Sequence, residues 1–399
     1  MQTTSSNKAR ALAEAGMQAL RNGDATNAKR LFEQIITLGV ADASAFLGLA
    51  YACRYLNDAA ATIKALDNAL SLEPNNLRAI ILKADHLAAA GDERAAVSFY
   101  LAATRTAAAS REALPPDLQN EVARAHAMCE QSALASESFL RERLAVQGLV
   151  TKDGTDPASR RFEDSLDVMF GHKKTYFQAP RQYFFPELPH IQFFPRENFP
   201  WLEAVEAATD EIRAELIEVM KQMSAFAPYV QGDANRPYKD QRGMLNNADW
   251  SAFYLWKNGE VVAENAARCP RTMAALANVP ISQISNRSPS ILFSLLRPGA
   301  HIPAHNGFIN TRLICHLPLI VPDMCRFRVG NETREWVEGK AWCFDDTIEH
   351  EAWNDSDQTQ VILLFEIWRP ELTMRERELV NAMFEAIDAR TGVKPAWEI

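Results

Sequence analysis

Nowhere among the 399 residues does an apolar run approach the roughly 18 that a membrane-crossing helix requires. The first 16 residues also lack the apolar core of a secretion signal. Together these absences predict a cytoplasmic protein with no membrane segment. Cysteine is sparse: Cys53, Cys129, Cys269, Cys315, Cys325 and Cys343 are scattered and form no C-x-x-C pair, a spacing that suits reduced thiols better than a disulfide framework or a zinc cage. Basic clusters are missing as well. The formal charge of -9 is mild for this length and no Lys/Arg run exceeds two or three residues, which excludes a nucleic-acid footprint and favours neutral, basic or small partners.

The chain is long enough for two or three domains, and its 47% hydrophobic content lets each bury a core without staples. Its first third repeats. The turns Asn22-Gly23-Asp24, Leu56-Asn57-Asp58 and Ala90-Gly91-Asp92 recur at a period of 34 residues. The same register relates Gly16, Ala50 and Ala84, then Ala28, Thr62 and Ala96, then Phe32, Leu66 and Tyr100; Pro74 ends the second unit. Small residues are needed where the two helices of a unit cross closely, and a large apolar residue one turn on fills the groove to the next unit. Roughly residues 8 to 110 therefore resemble three tetratricopeptide repeats, although the hallmark Trp and Tyr are missing. After Pro115-Pro116 a further helical pattern over 117–149 (Val122, Ala125, Met128, Ala133, Phe139, Leu140) caps the array, giving a solenoid domain over 8–149. Repeats must stack simply to be stable, so the array is either an all-α packing domain or a groove that holds a peptide.

Residues 150–180 read as a polar linker, and Tyr183-Phe184-Phe185-Pro186, Phe193-Phe194-Pro195 and Pro200-Trp201 as a strap that buries its rings on the next domain. A helix follows over 201–224, and a second near 270–278 carries Pro270 in its first turn. Alternation in residues 249–256, a hairpin turn at Lys257-Asn258-Gly259-Glu260, and strand patterns at 290–297, 311–321, 325–329, 333–338, 341–345 and 359–368 predict a double-sheet jelly roll, closed by a helix over 373–390. The fold class is thus α+β and multidomain: a helical solenoid, then a double-stranded β-helix of the cupin kind with flanking helices over 181–399.

Four of the eight histidines, His301, His305, His316 and His350, fall inside this β block. Imidazoles on opposite strands of a closed sheet can bind one redox metal and leave several positions open. Pro303 rules out a helix that would put His301 and His305 on one face, and spacing alone does not choose between them. In common non-haem iron oxygenases a carboxylate follows the first His by two residues. Here that place is taken by Gly307. Arg312, Ile314 and His316 share one face of their strand.

The runs Pro298-Gly299-Ala300-His301-Ile302-Pro303-Ala304-His305-Asn306-Gly307, Asn310-Thr311-Arg312 with His316, Gly330-Asn331-Glu332-Thr333, Trp336 with Gly339, Phe344-Asp345-Asp346 with His350 and Trp353, and Trp368-Arg369-Pro370-Glu371-Leu372 resemble the aspartyl/asparaginyl β-hydroxylase family over roughly 180–372. The upstream repeats match the architecture of its animal enzyme. The resemblance implies an iron(II)- and 2-oxoglutarate-dependent dioxygenase that holds iron by two histidines without a carboxylate, as Gly307 fits. It makes His305 and His350 the metal ligands and catalytic pair. Ser294 and His316 would contact 2-oxoglutarate, and Asp345 or Asp346 would orient the turn before His350.

The expected substrate is the β-carbon of Asp or Asn in a polypeptide held partly by the repeats, with molecular oxygen as co-substrate. A related class acts on lipid acyl chains. One departure stands out: the family places an arginine for the distal carboxylate where Gln360 stands, and Ile314 replaces a frequent arginine. The co-substrate site is then re-anchored by Arg312 or Arg297, adapted to another 2-oxo acid, or emptied of turnover. In the last case the protein is an interaction module with a degenerate barrel. A cupin-like isomerase would need more ligands than the sequence offers. Trp250, Trp336 and Trp353 read as packing residues.

Overall fold

A computed structural model describes residues 2–111, 113–148, 157–232 and 243–391. The chain divides into two compact units after Leu166.

The first unit is helical: α1 Gln2–Arg21, α2 Ala25–Thr37, α3 Ala43–Tyr55, α4 Ala59–Leu72, α5 Leu77–Ala89, α6 Glu93–Ala109, α7 Pro116–Val146 and α8 Pro157–Met169, whose last residues pass the boundary. The 34-residue period has a concrete cause. In each repeated turn the second residue takes a left-handed backbone (Gly23 φ 79°, Asn57 φ 57°, Gly91 φ 84°). The third, Asp24, Asp58 or Asp92, caps the next helix by accepting a backbone N–H at 3.0, 3.1 and 3.0 Å. Gly48 and Gly16 let the Phe32 ring lie against the neighbouring helices, where an added Cβ would come within 2.3 and 2.9 Å of it. The core is a string of small clusters, each shared by adjacent helices, as a repeat array requires.

The expected linker over 150–180 needs correction. Residues 150–156 lie outside the described residues, and Pro157–Met169 is helical: Leu166 is buried and Glu163 pairs with Arg141 of α7. The second unit begins at Asp167 rather than near 181.

That unit holds the strands β1 Ala227–Pro228, β2 Trp250–Lys257, β3 Glu260–Val261, β4 Ile291–Leu296, β5 His301–His305, β6 Arg312–Ile320, β7 Cys325–Val329, β8 Glu332–Glu335, β9 Trp342–Phe344, β10 His350–Asn354 and β11 Gln360–Trp368. One antiparallel sheet runs β1-β2-β4-β11-β6-β9, with β3 beside β2; a second runs β5-β10-β7-β8. The α+β layout read from the sequence is the one observed. The 201–224 helix is split into α9 Leu202–Ala207 and α10 Thr209–Met220, and α11 Ala263–Arg268 precedes α12 Pro270–Ala275.

Strands β6 and β11 are buried on both faces, and period two divides their side chains cleanly. Leu313, Cys315, Leu317, Val361, Leu363, Phe365 and Ile367 pack outward under α9, α10 and the strap rings Phe194 and Phe199. Arg312, Ile314, His316, Gln360, Ile362, Leu364 and Glu366 point the other way, into a cavity. The strap is tied down by backbone bonds from Ala179 to Thr347, Arg181 to Gly307 and Phe194 to Cys343. A closing helix, α13 Met374–Thr391, places Val380 and Phe384 in a third cluster.

Candidate active site

Strand β10 lies between β5 and β7, and the β5–β10 ladder makes His350 the direct partner of His305, with a register break between His350 and Ala352. The two rings stand 4.1 Å apart between centroids. Each is oriented from behind: His305 Nδ1 bonds the Pro303 carbonyl at 2.8 Å and His350 Nδ1 the Ile348 carbonyl at 3.0 Å. A carbonyl only accepts, so each Nδ1 carries a proton, which leaves Nε2 as the nitrogen that would bind a metal. Burial, and then the neighbouring His305 ring, hold His350 well below the usual histidine pKa, so its imidazole is neutral.

Six of the residues singled out in the sequence line this cavity: Ser294, His305, Arg312, His316, His350 and Gln360. His301 does not; its ring is stacked on Trp353 at 5.1 Å beside Glu351, on the outer face of the small sheet. Ser294 Oγ accepts the Trp250 indole N–H at 3.1 Å, which leaves the hydroxyl proton free to donate elsewhere. Trp250 is in turn stacked on Tyr229 at 4.0 Å. His316 is wedged among Phe327, Phe344 and Trp336, and burial depresses its pKa to about 3. The His316 Nδ1 and Trp336 Nε1 atoms are buried without a hydrogen-bond partner.

Trp250 and Trp336 are therefore cavity walls as well as packing residues. Tyr229, Asp346 and Glu366 also line it. Glu366 was legible, since it continues the Gln360, Ile362, Leu364 face; Tyr229 has no such signal.

Gly307 acquires a physical reason here. A Cβ on it would lie 2.0 Å from Asp346 Oδ2, and its N–H donates to the Asp346 carbonyl at 2.6 Å. The Asp346 carboxylate thus fills the space a side chain at 307 would need. Arg312 holds it at 3.0 Å and also pairs with Glu366 at 3.4 Å, all three side chains being buried. Burial raises the Asp346 pKa to about 6 against the opposing pull of Arg312, with Asp345 and Glu366 adding to the rise. Asp345 faces the other way, to Arg369, Gln178 and Thr347. Arg297, considered as a co-substrate anchor, is exposed and does not line the cavity.

The donors fit a divalent first-row ion: two imidazoles, each fixed by a backbone carbonyl, on paired strands. Among the described residues no group of three or more His, Cys, Asp or Glu is placed to hold a metal. A centre here would have two protein ligands, with its remaining positions open to small molecules.

Residues 206–370 match the Aspartyl/Asparaginyl beta-hydroxylase family. The chain is 35% identical over 189 residues to the ornithine lipid ester-linked acyl 2-hydroxylase of Rhizobium tropici, covering 47% of this chain and 63% of that one. It is 38% identical over 146 residues to the aspartyl/asparaginyl beta-hydroxylase of Mus musculus, covering 36% and 19%. The chain thus spans less than two thirds of either relative. Among solved structures, the TPR2B domain of yeast Sti1 in its pHsp70 complex is similar over 30% of this chain and 96% of that one, with 22% identity and a TM-score of 0.27. Among the described residues no helix is long and apolar enough to cross a membrane.

Proposed function

We propose, from the match of residues 206–370 to the aspartyl/asparaginyl β-hydroxylase family, an iron(II)-dependent dioxygenase that uses 2-oxoglutarate, or a 2-oxo acid of its class, to hydroxylate an unactivated carbon. The observation that carries this reading is the convergence of His305 and His350 at 4.1 Å with both Nδ1 atoms tied to carbonyls. Iron(II) bound there would supply an oxidant for the C–H bond: 2-oxo acid, O2 and C–H give a carboxylate one carbon shorter, CO2 and C–OH. The chain's own residues orient and seal the centre. Ser294 and His316 offer hydrogen bonds to the acid, while Phe327, Phe344, Ile302 and Ala352 exclude water around the pair.

The favoured substrate is the β-carbon of an Asp or Asn residue in a peptide, with the helical repeats holding the rest of the chain. A second reading, a lipid acyl chain, is favoured by the greater length shared with the Rhizobium tropici lipid hydroxylase. Incubation with iron(II), either 2-oxoglutarate or 4-methyl-2-oxopentanoate, and either Asp/Asn peptides or acylated lipids, followed by mass spectrometry, tests both. The expected result is gain of one oxygen by peptide, lost in His305→Ala and His350→Ala. Oxygen gained by lipid alone selects the second reading. A protein that binds iron tightly yet consumes neither oxo acid nor oxygen is an interaction module.

A further inference from the structure

We propose that the acid accepted beside His305 and His350 is a 2-oxo monocarboxylate with an uncharged apolar tail, in preference to a dicarboxylate such as 2-oxoglutarate. This rests on the hydroxylase reading above and names its co-substrate class.

The charge inventory of the cavity carries the inference. Among the described residues, Arg312 is the only lysine or arginine in the lining. It is already committed to two buried carboxylates, Asp346 at 3.0 Å and Glu366 at 3.4 Å. Glu366 cannot readily yield its place, because Ser288 Oγ at 2.6 Å and the Ser290 N–H at 3.0 Å fix its other oxygen. Asp346 is fixed by its fit against Gly307. One cation thus faces two anions before any ligand enters, and a distal carboxylate would make a third in a desolvated space.

The surroundings of Gln360 favour an apolar tail. Gln360 is paired across the ladder with Leu296, and Ile362, the next residue on its face, stands beside Ser294. Leu296, Ile314, Ile362 and Leu364 all line the cavity. The buried polar atoms without a partner here include neutral ring nitrogens, His316 Nδ1 and Trp336 Nε1, on rings stacked 5.4 Å apart. Two neutral donors side by side suit the two oxygens of one carboxylate, and neither brings the positive charge that a second carboxylate would need.

The test uses full-length protein loaded with manganese(II), so that binding is read without turnover, and measures Kd by calorimetry for 4-methyl-2-oxopentanoate and for 2-oxoglutarate. Wild type is expected to bind 4-methyl-2-oxopentanoate at least tenfold more tightly. Gln360→Arg is expected to strengthen 2-oxoglutarate binding tenfold or more, and Gln360→Leu to keep the wild-type order. Equal affinity, or preference for 2-oxoglutarate in wild type, overturns the inference alone when binding still requires the metal and is lost in His305→Ala. If neither acid binds in a metal-dependent way, the hydroxylase reading itself fails, and this inference with it.

Discussion

Arg369 and Asp345 are both wholly buried, and replacing Arg369 with methionine should cost about as much as any single change in the C-terminal domain. The guanidinium bonds Asp345 at 2.7 Å and the Pro189 carbonyl at 2.7 Å, with the Asn310 carbonyl at 3.4 Å, and lies over the Phe194 ring. Methionine retains much of the apolar contact but leaves Asp345 as a buried anion without its cation. Breaking such a pair from one side costs roughly 3–5 kcal/mol. Two carbonyls that lose a donor add about 1 kcal/mol or more each, although terms within one network do not sum fully.

A loss of about 4 kcal/mol, against a total of roughly 5–15 kcal/mol for a domain, corresponds to a fall in Tm of roughly 10 °C at this size. Denaturant unfolding of the wild type, Arg369→Met, Asp345→Asn and the double variant measures it. The double variant buries no unpaired charge and should recover about 2 kcal/mol relative to the sum of the singles. A loss below about 1 kcal/mol, or strict additivity, would refute the reasoning. The same pair steadies the turn before His350, because Asp345 also receives the Thr347 N–H at 3.0 Å and Oγ at 2.6 Å, so metal affinity should weaken alongside stability.

The neutral His316, with its pKa near 3 against an ordinary 6.5, supplies stability that is complete above about pH 6.5 and lost as pH falls toward 3. His316→Asn should flatten the acid limb of the stability curve by up to roughly 3 kcal/mol, as read by denaturant midpoints between pH 7 and 4; an unchanged limb would contradict a buried neutral ring. Gly307→Ala sets a methyl 2.0 Å from Asp346 Oδ2 and should cost roughly 1–3 kcal/mol while displacing Asp346 from Arg312, visible in melting temperature. Gly48→Ala forces a Cβ to within 2.3 Å of the Phe32 ring and should destabilise the helical unit by a similar roughly 1–3 kcal/mol, with no change in metal binding. His305→Ala should abolish iron binding measured by titration while leaving the circular dichroism spectrum intact.

What the sequence conveyed tracks how locally each feature is encoded. The repeats were legible because their turn needs a left-handed residue followed by an aspartate cap every 34 positions, and composition records both. Strands β6 and β11 were legible because burial on both faces demands nearly continuous apolar runs, interrupted here only by Arg312, His316, Gln360 and Glu366. Strands β5 and β10, which carry the histidine pair, were not: each has five residues, β5 contains Pro303, and β10 exposes part of Glu351 and Trp353. Their pairing is a long-range fact, expressed only once β10 adds to β7 and brings β5 alongside. The Arg312–Asp346–Glu366 triad was equally hidden, since it joins a strand, a turn and another strand. The helix over 157–169 was obscured by a polar composition that also suits a linker.

The glycine at 307 and the engagement of Arg312 are linked through one packing choice. Without a side chain at 307, the backbone there approaches the turn before β10, and the Asp346 carboxylate occupies the vacated volume. A buried carboxylate in that position needs a cation, and Arg312, on the inward face of β6, answers it. Once Arg312 is so engaged, with Glu366 pressing on its other side, it has no charge left for a ligand. An enzyme that regained a triad by placing Asp at 307 would therefore expel Asp346, free Arg312 and alter co-substrate charge preference in the same step. Gly307→Asp paired with Asp346→Ala should accordingly bind 2-oxoglutarate better than the wild type does, and a double variant with unaltered acid preference would show that the two positions are not coupled.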